Sequence, residues 1–402
     1  MLLSRTCFYA SRLFFAVLCA WLLASCSGHH LPEARSAFYQ GDYALAKDRI
    51  GTEVVDGKDS VLVLMERGTI YQAAGEYEKS SRDFIRANDT LKPLETYSVS
   101  EGAGSWVVND TVYSFEGAPF EQTLLHSMTA LNHLALGNWQ DGGVEARRII
   151  FSLRPDERDN EYPDDAFSRY LAAFILEMTG DWANAEAQYA AADELLPDLH
   201  IDRQGRIGLE AEEIPARKPG ERELVCFFLL GHSPTMHEVR REYHNSVFPP
   251  RVRIYGGDRH LGDAVILTNV QNLAISTWNI EAPARIAKMA ARIAAKEVFA
   301  KQLEKNDEAL GALARIILIG LLERPDFRRW ETLPQWLAVA RIPFPDDLSS
   351  FEVRLQTSDT VSSTVIPVQQ PLVQRGKVVF SFVRDLPKFN NCEVIKVIDK
   401  SQ

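Results

Sequence analysis

Gly75-Glu76-Tyr77, read with Gly41-Asp42-Tyr43 thirty-four residues earlier, decides the fold of the first half of this chain. Around the later copy, Leu64, Gly68, Tyr71, Phe84 and Ala87 recur at helical spacing, small residues where two helices would approach and large ones where they would interlock. Pro93 follows where such a helical pair would end. Two later stretches repeat the pattern: Gly137-Asn138-Trp139 with Ala130, and Gly180-Asp181-Trp182 with Ala173, Ala185, Tyr189, Ala192 and Pro197. Four copies in register predict stacked pairs of antiparallel helices.

A period of 34 residues is that of the tetratricopeptide repeat. The spacing is not regular throughout, because 62 residues separate Gly75 from Gly137 and 43 separate Gly137 from Gly180. Residues 96–120 read as an inserted loop with short extended segments, projecting from one face. Tyr43, Tyr71, Tyr77, Trp139, Trp182 and Tyr189 occupy repeat packing positions and are expected in the core. Glu121, Asn132, Glu145, Arg147 and Arg148 form a polar cluster along the third unit. It would either order a buried network or present a partner-binding face. His126 and His133 lie seven residues apart on one helix, without a second ligand pair at metal spacing.

The N-terminus has Arg5 and Arg12, an apolar run from Leu13 to Ala24, and then Leu23-Ala24-Ser25-Cys26. The run is short for a membrane span and reads as a signal-peptide core. Its end resembles the bacterial lipoprotein processing signal, which implies acylation of Cys26 and, with Ser27 rather than aspartate next, an outer-membrane destination facing the periplasm. Several acyl chains would hold the chain firmly on the bilayer. The formal charge of −11 and the lack of a basic stripe argue against a nucleic-acid partner and against electrostatic attachment to anionic lipid. Of five cysteines, Cys226 and Cys392 remain outside the leader and anchor, in strand-like runs where pairing stays open.

Residues 202–222 are rich in charge, carry Pro215, Pro219 and Gly220, and read as a linker (201–222). Beyond it, residues 223–402 form a mixed domain. Strands are expected at 223–230, 251–255, 264–268, 351–356, 364–368, 377–383 and 392–398, forming a sandwich or open barrel. Helices fall at about 284–322. Ala284–Gln302 is amphipathic through Ile286, Met289, Ile293 and Phe299. The more apolar Ala309–Leu322 is expected to pack against the sheet or repeats, or else to contact a partner or membrane. The fold class is therefore α+β multidomain: a signal peptide (1–25), a tetratricopeptide-type α-solenoid (26–95 and 121–200), and a mixed β-sheet domain with an inserted helical hairpin.

Three stretches resemble an uncharacterised family of bacterial lipoproteins with tetratricopeptide repeats. They are Phe115-Glu116-Gly117 through Glu145-Ala146-Arg147-Arg148, Glu223 to Gly231 with Pro234, and Arg329-Trp330-Glu331-Thr332-Leu333-Pro334 through Pro343. Members are often encoded beside CsgG-like secretion components and lipoproteins resembling activators of peptidoglycan synthesis. The resemblance implies an envelope-assembly context and carries over no catalytic residues.

No catalytic constellation stands out. Gly231-His232-Ser233-Pro234-Thr235 lacks the second glycine of a nucleophile elbow. His232, His237 and His244 form no HExxH motif. The expectation is a lipid-anchored envelope scaffold that binds protein partners, without catalysis, cofactor, metal or small-molecule ligand. A cell-wall enzyme or activator acting through the C-terminal domain, and an export-assembly subunit, are the alternatives.

Overall fold

The computed structural model describes residues 31–52, 56–97, 114–154, 162–209, 214, 221–233, 235, 239, 249–305, 308–321, 326–357, 361–367, 377–388 and 391–396. The leader, Cys26, most of the 96–120 insertion, His237 and His244 lie outside them. The chain is mixed α+β, with a helical N-terminal part followed by strands.

Among the described residues eight helices precede the strands: α1 (Leu31–Tyr39), α2 (Tyr43–Ile50), α3 (Ser60–Ala73), α4 (Tyr77–Tyr97), α5 (Pro119–Ala135), α6 (Trp139–Ser152), α7 (Ala166–Thr179) and α8 (Trp182–Glu194). They form four consecutive pairs, and one turn closes each pair. Gly41, Gly75, Gly137 and Gly180 have φ between 72° and 90°. The next residue donates its N–H to the carbonyl five residues back: Asp42 to Ala37, Glu76 to Tyr71, Asn138 to His133 and Asp181 to Leu176. This Schellman closure needs a left-handed residue, which glycine supplies without a Cβ clash. That explains why glycine stands at each of the four turns.

A short hairpin, β1 (His200–Ile201) with β2 (Ile207–Gly208), follows α8. The expected linker is thus partly packed structure. At the turn, Gly205 (φ 73°) accepts a hydrogen bond from the Tyr170 hydroxyl through its carbonyl. A Cβ there would lie 2.4 Å from the Tyr189 ring and 2.7 Å from the Arg341 guanidinium.

The remaining strands are β3 (Arg222–Leu230), β4 (Arg251–Gly256), β5 (Arg259–Asp263), β6 (Val265–Asn269), β7 (Trp336–Pro343), β8 (Ser350–Gln356), β9 (Val361–Pro367), β10 (Lys377–Lys388) and β11 (Asn391–Lys396). They make a five-stranded sheet ordered β11-β10-β3-β7-β6 and a four-stranded sheet ordered β5-β4-β8-β9. The first sheet lies between the helices and the second sheet, which explains why Leu224–Leu230 is continuously apolar. Alternate side chains serve opposite layers. Val225, Phe227 and Leu229 join the helical core, while Leu224, Cys226, Phe228 and Leu230 join the inter-sheet core. β10 divides likewise: Val378, Phe380 and Phe382 face the helices, and Val379 and Val383 the second sheet.

Aromatic rings join the helices to the sheet. Phe227 meets Phe167 and Phe174 with centroids 5.7 Å away, and Tyr77 meets Phe382 at 5.7 Å. Trp139 meets Phe380 at 5.9 Å. Tyr71, Tyr77 and Tyr189 are buried as expected, whereas Trp182 is 45% exposed. It opens α8, where the first turn leaves its ring in contact with solvent.

By the same parity Arg341 on β7 and Glu223 on β3 point to the helices. There Arg341 donates to Glu177 of α7 (2.8 Å to each carboxylate oxygen) and to Glu223 (3.0 Å). The Tyr189 hydroxyl donates to Glu177 at 2.7 Å. Burial raises the Tyr170 and Tyr189 phenols, so both remain neutral donors. Cys226 is a free buried thiol, raised by desolvation. It lies on β3, and β10 separates β3 from the strand that carries Cys392.

From β6 the chain enters a 35-residue helix, α9 (Val270–Glu304), capped by the Asn269 side chain. α10 (Glu308–Arg315) and a π-helical segment (Ile316–Leu321) turn back along it. The 309–322 stretch does not pack as a buried helix: Leu310, Leu313 and Ile316 are exposed.

Arg341→Leu tests the ionic junction. It leaves two buried carboxylates facing each other, so urea denaturation is expected to show a loss of about 3–5 kcal/mol. A loss below about 1 kcal/mol would mean that the cluster is solvated.

Candidate functional site

α3 is buried along almost its whole length, with helices on its flanks and a stretch of the chain's own backbone across its face. Glu66, fully buried in the middle of the run Val61–Ile70, is a carboxylate that needs donors. It receives two from Arg35 of α1 (2.9 and 2.6 Å) and two backbone N–H groups, Glu331 at 2.9 Å and Thr332 at 3.3 Å. Glu121, in the first turn of α5, accepts from Trp330 N–H at 2.9 Å and from Ala118 N–H at 2.8 Å. Residues 326–335, immediately before β7, thus lie in a groove of the helical layer as a strap.

The strap is gripped at more than these points. Arg35 donates to the Arg329 carbonyl at 2.8 Å, the Tyr39 hydroxyl to the Glu331 carbonyl at 2.9 Å, and Arg384 of β10 to the Thr332 carbonyl at 2.5 Å. Arg328 pairs with Asp59 at 2.7 Å. Trp330 is the anchor. Its indole is fully buried, donates to Thr69 at 2.9 Å, and meets the Phe84 ring edge-on at 5.6 Å. Phe84 can sit there because Gly68 lacks a side chain; a Cβ would come within 2.3 Å of its ring. The glycine and phenylalanine of the repeat pattern therefore build one wall of a tryptophan pocket.

The five candidate residues divide. Glu121 binds the strap. Asn132 is fully buried, accepts from Gln72 at 2.8 Å and donates to Ser80 at 2.8 Å, joining α3, α4 and α5. Both are enclosed by the chain itself, so the buried-network reading applies to them. Glu145 is also buried and pairs with His126 at 2.8 Å and Arg148 at 2.6 Å. Only Arg147 and Arg148 present side chains outward, 62% and 38% exposed. With Val144 (46% exposed) and Phe151 (72% exposed) they fall at i, i+3, i+4 and i+7 on α6, which is one helix face. That face is an apolar strip with two guanidinium groups.

His126 bonds Glu145, while His133 is buried with an unpartnered Nδ1. No group of three or more metal-ligating side chains occurs among the described residues. Ser233 is fully buried, so its hydroxyl is not presented at a turn. The groove residues Arg35, Glu66 and Trp330 were not singled out from the sequence as site residues. The signal available was a charged residue inside an apolar helical run.

Glu121→Gln keeps one acceptor where two N–H groups are bound, and is expected to cost about 1–3 kcal/mol in thermal or urea unfolding. An unchanged midpoint would remove Glu121 from the strap's support. A pH effect follows from His133, whose imidazole is held below its ordinary value mainly by burial. The unfolded chain takes up a proton first, near pH 6.5, so its stabilising contribution is present above that value and is lost as pH falls further. The melting temperature should fall between about pH 6.5 and 5, with a shallower slope in His133→Leu. Equal slopes would contradict this.

No family model, no curated protein and no solved structure matches the chain.

Proposed function

We propose that this chain is a lipid-anchored scaffold of the bacterial cell envelope. Cys26 carries the acyl anchor at the outer membrane, facing the periplasm, and the four helical pairs are a tetratricopeptide-type solenoid. Its work is binding other envelope proteins or lipoproteins, with no chemical step assigned to it. The 34-residue spacing of the first two turn glycines and the glycine closure common to all four pairs support the solenoid reading.

One observation carries the assignment of roles. The groove in which such a solenoid would take up a partner's peptide already holds residues 326–335 of the same chain. The helices and sheet then act as one rigid body, and partner contact passes to the outer side. The α6 face of Val144, Arg147, Arg148 and Phe151 suits that task. An exposed aromatic and an aliphatic residue flanked by guanidinium groups fit a partner with an acidic, partly apolar surface.

The experiment is site-specific photo-crosslinking in intact cells, with the probe at Phe151 or, separately, on the strap at Glu331. Adducts to envelope proteins are expected at Phe151 and should be lost in Arg147→Glu/Arg148→Glu. Adducts only at Glu331 would return partner binding to the groove and overturn this reading. Palmitate labelling of the wild-type chain, absent in Cys26→Ala, tests the anchor separately.

A further inference from the structure

The hairpin of α9 and α10 is assembled inside out. α9 buries Val270, Leu273, Ala274 and Thr277 in its first turns, and beyond Pro283 its buried residues are Arg292, Lys296 and Ala300, one stripe at four-residue spacing. α10 and the π-helical segment pack along the helix, and Arg315 reaches back to Glu297 (2.8 and 2.9 Å) and Glu304 (3.1 Å). Gly311 permits the approach, since a Cβ would stand 2.6 Å from the Glu304 Cα. Charged groups therefore take part in the seam, while several large apolar ones lie outside. Ile286 (60% exposed), Val298 (59%), Phe299 (52%), Leu310 (48%), Leu313 (44%) and Ile316 (61%) face outward, among exposed alanines.

A helical hairpin in water has the opposite arrangement, with its apolar stripe buried and its charges solvated. The outer face of this one matches an apolar medium. Charge identifies which. The chain as a whole has 44 basic against 55 acidic residues, but the exposed charges among the described residues of 283–321 are four basic against two acidic, Glu304 and Glu308. Arg285, Lys288, Lys301 and Lys305 are exposed around the apolar face. A local basic excess on an acidic protein, bordering exposed Ile, Phe and Leu, is complementary to a layer of anionic headgroups above acyl chains. No helix among the described residues is long and apolar enough to cross a membrane, so the contact is interfacial.

We infer that the hairpin formed by α9 and α10 is a membrane-contact element that lies on anionic phospholipid and inserts Phe299, Leu310, Leu313 and Ile316 among the acyl chains. It is independent of the proposed acyl anchor. Membrane contact at the hairpin would add a second attachment point to the chain and fix its orientation on the bilayer.

The test uses the chain from residue 26 onward with Cys26→Ser, so that no acyl group contributes, in flotation with vesicles of phosphatidylcholine containing or lacking phosphatidylglycerol. Binding is expected with phosphatidylglycerol and should weaken by about tenfold or more in Leu310→Gln/Leu313→Gln/Ile316→Gln, whose melting temperature should match the parent because these residues are exposed. Lys288→Glu/Lys301→Glu/Lys305→Glu should abolish the dependence on phosphatidylglycerol while leaving the fold intact. Absence of binding, or binding that neither variant alters, overturns the inference. Dimerisation in sedimentation that the apolar variant abolishes, without vesicle binding, would instead give the face to a second copy.

Discussion

Two carboxylates buried in the helical layer, Glu66 and Glu121, organise the rest of the structure. Each is out of reach of water and must be supplied with donors. The donors include the N–H groups of Trp330, Glu331 and Thr332, which are themselves backbone groups removed from water. Neither side is satisfied without the other. A loop that would ordinarily run over the surface is therefore held inside, and its end places β7 at the start of its strand pairing. Burial raises the Glu121 carboxyl, against the pull of Arg329 and the two N–H groups, which shows how far the site is from solvent.

The position of β7 then decides the layering. With β3 and β6 as its neighbours, β7 presents Leu337, Val339 and Arg341 to the helices and Trp336, Ala338 and Ala340 to the second sheet. Dispersion and apolar burial supply most of the attraction between layers. The Arg341 cluster adds register: one guanidinium must meet Glu177 and Glu223 together, which permits little sliding of helix against sheet. Asp165, at the start of α7, adds a second polar junction by accepting from Thr268 of β6 and from Ser168.

Much of this was legible in the sequence where the cause is local. The four turn glycines fix the helical pairs because their conformation is a property of the residue. β3, β4, β6 and β8 were legible from apolar runs or two-residue alternation. β7 was not, because Ala338, Ala340 and Arg341 are good helix formers held in a strand by neighbours on both sides. The first half of α9 was missed because Asn, Thr and Ser there give little periodicity, and Pro283 suggests a stop rather than a passage. Glu121 and Asn132 were marked as polar cluster members, but sequence spacing cannot tell a buried network from a binding face. Their partners, Trp330 and Ser80, lie 209 and 52 residues away.

Amide hydrogen exchange of Trp330, Glu331 and Thr332 tests the central claim most directly. If the helices hold the strap as described, these three N–H groups should exchange as slowly as the paired amides of β7, through global unfolding alone. Exchange at the rate of an open loop, with β7 still protected, would contradict it.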